Sequence, residues 1–191
     1  MLDSEGNTMA ELVTAGSNRV WADIEDIPEH VQWAFIDIED ERFYEHNGID
    51  LRGIARAAAT AVATGFKRTE GASTITQQLL KNSVFDFMSE DTFVETVERK
   101  LQEQYLALEL EKIMSKEEIL EAYLNTINLG QNTLGIQAAS NRYFNKDVGE
   151  LTISEAAVIA AITQNPSRYN PISHPEDNAS RRELGLDSML R

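Results

Sequence analysis

The chain has 191 residues, and its 17 Lys and Arg against 32 Asp and Glu give a net charge of −15 at pH 7. This charge argues against a nucleic-acid binder, because such a protein needs a basic face to neutralise phosphates. The absence of cysteine excludes a disulfide scaffold, a thiolate nucleophile and a Cys-ligated metal. Hydrophobic residues make up 42% of the chain, enough for a buried core, yet no apolar stretch approaches the roughly 18 residues that span a bilayer.

The two ends of the chain differ from its middle. Residues 1–18 are polar and contain Gly, Ser, Thr and Asn, so we expect a flexible lead-in before one domain at 19–191. The acidic N-terminus lacks the basic and then apolar pattern of a signal peptide. The last residues fall within a helical pattern that has no terminator, which predicts a fragment truncated at its C-terminus and soluble as given.

The first predicted helices follow from apolar spacing and turn residues. An i, i+3, i+4, i+7 pattern after Pro28 predicts a helix that runs into the acidic stretch as far as Phe43. Asp50 is predicted to be the N-cap of an Ala-rich helix that ends near Gly65.

The middle of the chain predicts a short helix, a loop and a long helix. Ser73 or Thr74 caps the short helix, and residues 83–92, which show no period, predict a loop. The long helix carries one apolar stripe, formed by Phe93, Val97, Leu101, Tyr105 and Leu108.

The last third of the chain also predicts helices. Ser115 and Glu118 have the spacing of a capping box at the start of one helix. Later helices are predicted at roughly 134–144, 152–164 and 176–190. Strand signals are scarce, so the predicted fold class is mainly α.

The first cluster of chemically capable residues lies at 39–50. Glu39 stands beside apolar positions, and a carboxylate at the edge of an apolar surface is poorly solvated, which suits a general base. The alternative is an ordinary solvated acidic helix face.

The second cluster lies at 71–82, where a turn of small residues opens a helix rich in hydroxyl and amide groups. Free backbone N–H groups, the helix dipole and Lys81 would together suit an anion or a sugar. The alternative is an ordinary N-capped helix.

The third cluster lies at 99–103, where Arg99 and Glu103 are four residues apart and share a helix face. They form either a surface ion pair or part of a phosphate site, with Glu103 as a second carboxylate. The three histidines stand at unrelated spacing, so there is no direct metal-ligand motif.

Taken together and in this order, the clusters resemble the family 51 peptidoglycan glycosyltransferases, which occur as the polymerase domain of class A penicillin-binding proteins or as monofunctional enzymes. Residues 39–50 fill every fixed position of E-D-x-x-F-x-x-H-x-G-x-D. Residues 71–82 match G-[GA]-S-T-I-T-Q-Q-L-x-K-N, and residues 99–103 match R-K-x-x-E. Further family segments follow at 116–125 and 165–171.

The resemblance implies a lysozyme-like large lobe with a small flexible jaw lobe at roughly 52–70 and 83–95. It implies that lipid II is polymerised, with inversion, into β-1,4 glycan strands and that undecaprenyl pyrophosphate is released. Glu39 matches the general base of the family. Glu103 matches its second essential glutamate, which assists departure of the pyrophosphate or orients the cations around it.

The resemblance also implies two further groups of residues. Those expected to bind substrate are Ser73, Thr74, Gln77, Gln78, Lys81, Asn82, Arg99 and Lys100. Those expected to hold the first motif in shape are Asp40, Phe43, His46, Gly48 and Asp50.

The implied partners are lipid II, the growing glycan chain, a membrane surface and moenomycin-type inhibitors, with cell-wall assembly proteins as further candidates. No cofactor is obligatory, and a divalent cation (Mg or Mn) at the pyrophosphate is left open. The full-length protein is expected at the outer face of the bacterial cytoplasmic membrane.

Three stretches depart from the family pattern. Residues 95–98 lack the basic residue of many relatives, and Gln102 stands where many have Lys, so we expect pyrophosphate contacts to be fewer or more dependent on metal. Residues 163–165 replace a common Leu-Pro-x, which we interpret as variation in a loop. Two alternative functions stay open: a lysozyme-like enzyme that cleaves glycan, and a catalytically idle domain that binds a lipid carrier or a partner protein.

Overall fold

The computed structural model describes residues 20–65, 71–85 and 93–189. The expected lead-in at 1–18 lies outside the described residues, as do 66–70 and 86–92 of the expected jaw segments.

Eight α-helices account for most of the described chain. They are α1 (Glu29–Glu39), α2 (Leu51–Ala63), α3 (Ile75–Leu80), α4 (Phe93–Leu110), α5 (Lys116–Thr126), α6 (Ile136–Phe144), α7 (Ile153–Ala160) and α8 (Pro175–Met189). A π-helical turn at Lys81–Phe85 follows α3, where the sequence predicted the beginning of a loop. Within the described ranges the β-type pairing is limited to an isolated bridge between Asn128 and Leu134, so the mainly α class is confirmed.

The core forms where α1 packs against α7 and α8, and where α3 packs against α5. The buried face of α1 carries Val31, Ala34 and Phe35. Phe35 meets the fully buried ring of Tyr123 from α5 edge to face, with the ring centroids 6.5 Å apart. Burial of these apolar surfaces, the main favourable term in folding, brings the end of α1 beside α3 and α5.

The first helix is shorter than its apolar pattern predicted, because α1 ends at Glu39 rather than at Phe43. Asp40 leaves the helical conformation, with φ −156° and ψ 63°. Its carboxylate accepts a hydrogen bond from the backbone N–H of Ile75 at 2.9 Å. This long-range bond ties the residue that follows α1 to the first residue of α3.

The apolar stripe of α4 forms at the predicted spacing but does not face the core. Its described members Val97, Leu101, Tyr105 and Leu108 are all exposed. The buried side of α4 carries Glu103 and Ala107 instead, both with no exposed surface. Spacing determines which residues share a helix face, whereas the neighbouring elements determine which face is covered.

The capping box predicted at Ser115 is confirmed, and of the two N-cap candidates Ser73 and Thr74 the structure has Thr74, which also forms a capping box. The hydroxyl of Thr74 accepts from the backbone N–H of Gln77 at the start of α3, and Ser115 and Glu118 do the same at the start of α5. Asp50 occupies the predicted N-cap position of α2. None of the helices in the described part of the chain is long and apolar enough to cross a membrane.

Glu155 stabilises the start of α7 through a charged contact. It belongs to a capping box with Thr152, and it accepts a hydrogen bond from Nζ of Lys146 at 2.7 Å. These hydrogen bonds, that of Lys146 first, lower the pKa of Glu155 from 4.5 to about 2. The carboxylate therefore stabilises the fold above about pH 4.5, and this contribution is lost as the pH falls toward 2.

We expect Glu155→Gln to lower the melting temperature at pH 7 by about 2–4 °C, because the amide keeps the cap but loses the charge. The difference from wild type should shrink as the pH is lowered from 4.5 to 2, in thermal melts followed by circular dichroism. Glu150→Gln is the control, since Glu150 also completes a capping box but has no ion pair with the described residues. A deficit that is constant with pH would contradict this account.

Candidate active site

Glu39, the last residue of α1, has a mostly buried side chain that is 12% exposed. Its Oε2 accepts a hydrogen bond from the amide of Gln78 at 2.8 Å. Its Oε1 accepts from the hydroxyl of Thr163, and Nη2 of Arg181 lies 3.7 Å from the same oxygen. The carboxylate is therefore held by two neutral donors, one from α3 and one from the turn that follows α7. A more distant cation contacts it from α8.

Gln78 is itself held in place by Tyr123. The phenol of Tyr123 donates to Oε1 of Gln78 at 3.3 Å, which directs the amide nitrogen of Gln78 toward Glu39. Burial, followed by the negative charges of Glu39 and Asp40, raises the pKa of Tyr123 well above its usual value. The phenol therefore stays protonated and keeps its role as a donor.

Two of these contacts were missed by the sequence analysis. Thr163 belongs to the stretch that we interpreted as variation in a loop, but its hydroxyl contacts Glu39 across 124 positions of sequence. Arg181 was assigned no role at all. No local pattern identifies either residue, because the packing of α1 against α7 and α8 brings them to the carboxylate.

The residues expected to hold the first motif (39–50) in shape also connect it, by hydrogen bonds, to the second motif (71–82). Asp40, 6% exposed, accepts from the backbone of Ile75 with one oxygen, and its other oxygen lies 2.9 Å from Nε2 of His46. The carbonyl of Gly48 accepts from the hydroxyl of Thr74 at 2.7 Å. These bonds fix the N-terminus of α3 against the loop that follows α1.

Gly48 occupies a position that a side chain could not share. Its φ is +85°, and a Cβ atom would lie 2.7 Å from the carbonyl oxygen of Ala107 in α4. The left-handed conformation and the close approach both require glycine. The loop thereby packs directly on the backbone of α4, next to the buried side of that helix.

Phe43 and Asp50 complete the first motif. The Phe43 ring is fully buried, with Nζ of Lys116 4.4 Å from its centroid. Asp50 forms an ion pair with Arg42. Burial raises the pKa of Asp50, but the hydrogen bond from Arg42 and other favourable contacts outweigh it, so the pKa is lowered and the pair is charged at neutral pH.

A cleft of about 360 Å³ opens beside Glu39. Seven residues singled out in the sequence line it: Glu39, Ser73, Gln77, Gln78, Lys81, Asn82 and Lys100. The lining residues without an assigned role are Ile127, Asn128, Thr163, Gln164 and Pro166. The cleft therefore brings a carboxylate, two lysines and several amide and hydroxyl groups to one surface.

Three of the expected residues, Thr74, Arg99 and Glu103, lie outside the lining of this cleft. Thr74 is buried, and its hydroxyl serves the cap of α3 and the carbonyl of Gly48. Glu103 lies buried on the inner side of α4, where it pairs with Arg99 and with Lys100. Within the cluster formed by Glu103, Arg99 and Lys100, it is Lys100 that lines the cleft.

The two oxygens of Glu103 contact two different cations. One oxygen accepts from the Arg99 guanidinium, and the other from Nζ of Lys100 at 2.6 Å. The same Nζ lies 3.3 Å from the hydroxyl of Ser73, which lines the cleft. Because its oxygens already accept from two cations, Glu103 is better suited to holding those cations in place than to binding a divalent metal directly. Among the described residues no cluster of three acidic or histidine side chains could hold a metal ion.

Comparisons with known proteins agree with the motifs and the mainly α architecture. The family model described as Transglycosylase matches residues 5–190, and the chain belongs to this family. The chain is 47% identical over 189 residues to penicillin-binding protein 1F of Bacillus subtilis, a match that covers 99% of this chain and 25% of the relative.

Two other relatives give the same result. Penicillin-binding protein 1A of Clostridium botulinum (strain Langeland) is 43% identical over 198 residues, covering 100% of this chain and 23% of the relative. Penicillin-binding protein 1A of Aquifex aeolicus is 44% identical over 172 residues, covering 90% and 23%. The chain thus spans about a quarter of the length of these curated relatives.

These matches confirm the resemblance to the glycosyltransferase domain of class A penicillin-binding proteins. They also confirm, at the level of the family, the predicted enzyme class, a peptidoglycan glycosyltransferase. The described residues agree with the mainly α, lysozyme-like fold that this resemblance implied.

We expect Glu103→Ala to lower the free energy of unfolding by about 3 kcal/mol, because it removes the mostly buried ion pair between Glu103 and Arg99. Glu109→Ala on the same helix is the control. Glu109 pairs with Lys112 at the surface, so its loss should cost less than about 1 kcal/mol. Urea denaturation of both variants measures the loss in the free energy of unfolding. Equal losses would contradict a larger stabilising effect of the buried pair.

Proposed function

We propose that the chain is a peptidoglycan glycosyltransferase domain that polymerises lipid II into β-1,4 glycan strands and releases undecaprenyl pyrophosphate. The observation that carries the proposal is the cleft that combines the carboxylate of Glu39 with Lys81 and Lys100. A hydroxyl nucleophile needs a base, and a pyrophosphate leaving group needs fixed positive charge. The family and the names of its relatives support the same substrate class.

In the proposed reaction the 4-hydroxyl of one lipid-linked disaccharide attacks the anomeric carbon of the growing chain. The O–H bond breaks as its proton passes to the carboxylate of Glu39, and a new C–O bond forms with inversion. The bond between the anomeric carbon and the pyrophosphate oxygen breaks, and its electron pair leaves with the pyrophosphate. Glu39 is ionised before the step and neutral after it.

The leaving pyrophosphate is stabilised in this proposal by Lys81 and Lys100, with Arg99 behind them. Lys81 is exposed and forms no ion pair with the residues that the structure describes, so its charge is available to an anion. Lys100 is directed by Glu103 and lies beside the hydroxyl of Ser73. Glu103 accordingly acts by orienting cations, which favours the second of the two roles that the resemblance left open.

The remaining polar residues of the cleft would bind the sugars of the donor. Ser73, Gln77, Gln78 and Asn82 offer hydroxyl and amide groups along one wall, and such groups are suited to hydrogen bonds with carbohydrate hydroxyls. Thr74 contributes indirectly, because it fixes the start of the helix that carries the two glutamines.

The wider setting also forms part of the proposal. The full-length protein would act at the outer face of the bacterial cytoplasmic membrane, where the lipid-linked substrate meets the cleft. Moenomycin-type inhibitors would compete for the same cleft, and cell-wall assembly proteins are candidate partners.

Glu39→Gln tests the proposed base. We expect about a 10²–10⁴-fold loss of lipid II polymerisation, because the amide cannot accept the proton. The assay follows the lengthening of labelled glycan chains together with the release of lipid pyrophosphate. Glu29→Gln, at the exposed opposite end of α1, should retain wild-type activity.

The same assay separates the competing functions. Incubation with finished peptidoglycan should produce no shorter glycan. Cleavage of that polymer would instead indicate a lysozyme-like hydrolase or lytic enzyme. Binding of lipid II without polymerisation would indicate an idle binding domain, and near-wild-type polymerisation by Glu39→Gln would refute the role of Glu39.

We further propose that a divalent cation is not obligatory, since lysine and arginine side chains supply the positive charge. Polymerisation by metal-free protein in excess EDTA should retain at least about a tenth of the rate measured with Mg²⁺ or Mn²⁺. Loss of all activity in EDTA, restored by either metal, would overturn this part of the proposal.

A further inference from the structure

We propose that Thr163 is a positioning residue for Glu39, and that Oε2 of Glu39 is the oxygen that takes the substrate proton. The inference rests on the proposed function, because it concerns how the base is held during the proposed reaction. It is carried by the distribution of hydrogen bonds over the two oxygens of Glu39.

The two oxygens of Glu39 have unequal surroundings. Oε1 accepts from the hydroxyl of Thr163 and also lies 3.7 Å from the Arg181 guanidinium. Oε2 accepts a single hydrogen bond among the described residues, from Gln78 at 2.8 Å. A carboxylate oxygen has two lone pairs, so Oε2 keeps one for an incoming hydroxyl while Oε1 is already engaged. Glu39 lines the cleft, where that hydroxyl would arrive.

Thr163 is itself held in a fixed orientation. It follows α7 in a turn, where its backbone N–H donates to the carbonyl of Ala160 at 3.2 Å. Its hydroxyl oxygen lies 2.8 Å from the same carbonyl oxygen. The hydroxyl proton therefore has two acceptors within reach, Oε1 of Glu39 and the oxygen of Ala160.

These two acceptors suit the two charge states of the base. While Glu39 is ionised, its carboxylate is the stronger acceptor, and the hydroxyl of Thr163 donates to it. Once Oε2 has taken the proton, Oε1 becomes a neutral carbonyl and a weaker acceptor. The hydroxyl proton can then turn to Ala160, so the donor is not left unpaired in a partly buried place. Valine has the shape of threonine but offers no donor in either state, whereas serine keeps the hydroxyl.

The test compares Thr163→Val with Thr163→Ser in steady-state polymerisation of lipid II. We expect Thr163→Val to lower kcat about 10–100-fold, the effect of one lost hydrogen bond to a charged group, with KM changed less than about threefold. Thr163→Ser should restore kcat to within about threefold of wild type. Because a loss of folded protein would also lower the apparent kcat without changing KM, the rescue by serine and the folded fraction of each variant distinguish a positioning role from a role in folding.

Thr126→Val is the matched control. The hydroxyl of Thr126 donates to the backbone of α5, at 2.6 Å from the carbonyl oxygen of Ala122, and the structure gives it no contact with Glu39. The same substitution there should leave kcat unchanged. Circular dichroism of all three variants checks that each is folded.

The outcomes separate this inference from the proposed function. If the wild type polymerises lipid II and Glu39→Gln does not, but Thr163→Val keeps the wild-type kcat, the role of Thr163 is refuted and the proposed function stands. If Thr163→Ser fails as severely as Thr163→Val, the methyl group rather than the hydroxyl matters, and the inference is again refuted. If the wild type does not polymerise lipid II, the proposed function fails first.

Discussion

The carboxylate of Asp40 joins the helix that carries the proposed base to the helix that carries its hydrogen-bond donor. It is 6% exposed, and a buried carboxylate is tolerated where its lone pairs are occupied. The backbone N–H of Ile75 and the ring of His46 occupy them. Because Ile75 begins α3 and Asp40 directly follows α1, this carboxylate brings Glu39 and Gln78 within hydrogen-bond distance.

The charge of the whole chain says little about the charge at the cleft. The net charge of −15 would repel a pyrophosphate if it were spread evenly over the surface. Exposed charges more than a Debye length away, about 8 Å at physiological ionic strength, are largely screened. Lys81 and Lys100 line the cleft itself, so the local charges, rather than the total, decide whether a phosphate can bind there.

Features that depend on residues close together in the sequence were predictable from it. The capping box at Ser115 was found because donor and acceptor stand three residues apart, and Thr74 was one of two predicted N-cap candidates for α3. The contact between Thr163 and Glu39 joins positions 124 residues apart, and no local spacing carries that information. The burial of α4 was not predictable for a related reason: periodicity groups residues on a face, while packing decides whether the apolar stripe or the face with Glu103 is buried.

The surroundings of the two glutamates explain why we assign them different roles. Glu103 has no exposed surface, and both of its oxygens accept from cations. We therefore assign Glu103 the role of holding these two cations in place. Glu39 has neutral donors at hydrogen-bond distance and its one cation farther away, at 3.7 Å. Glu39 also lines the cleft, where a substrate hydroxyl would arrive, whereas Glu103 does not. For these reasons the proposed reaction assigns the proton transfer to Glu39 and the orientation of cations to Glu103.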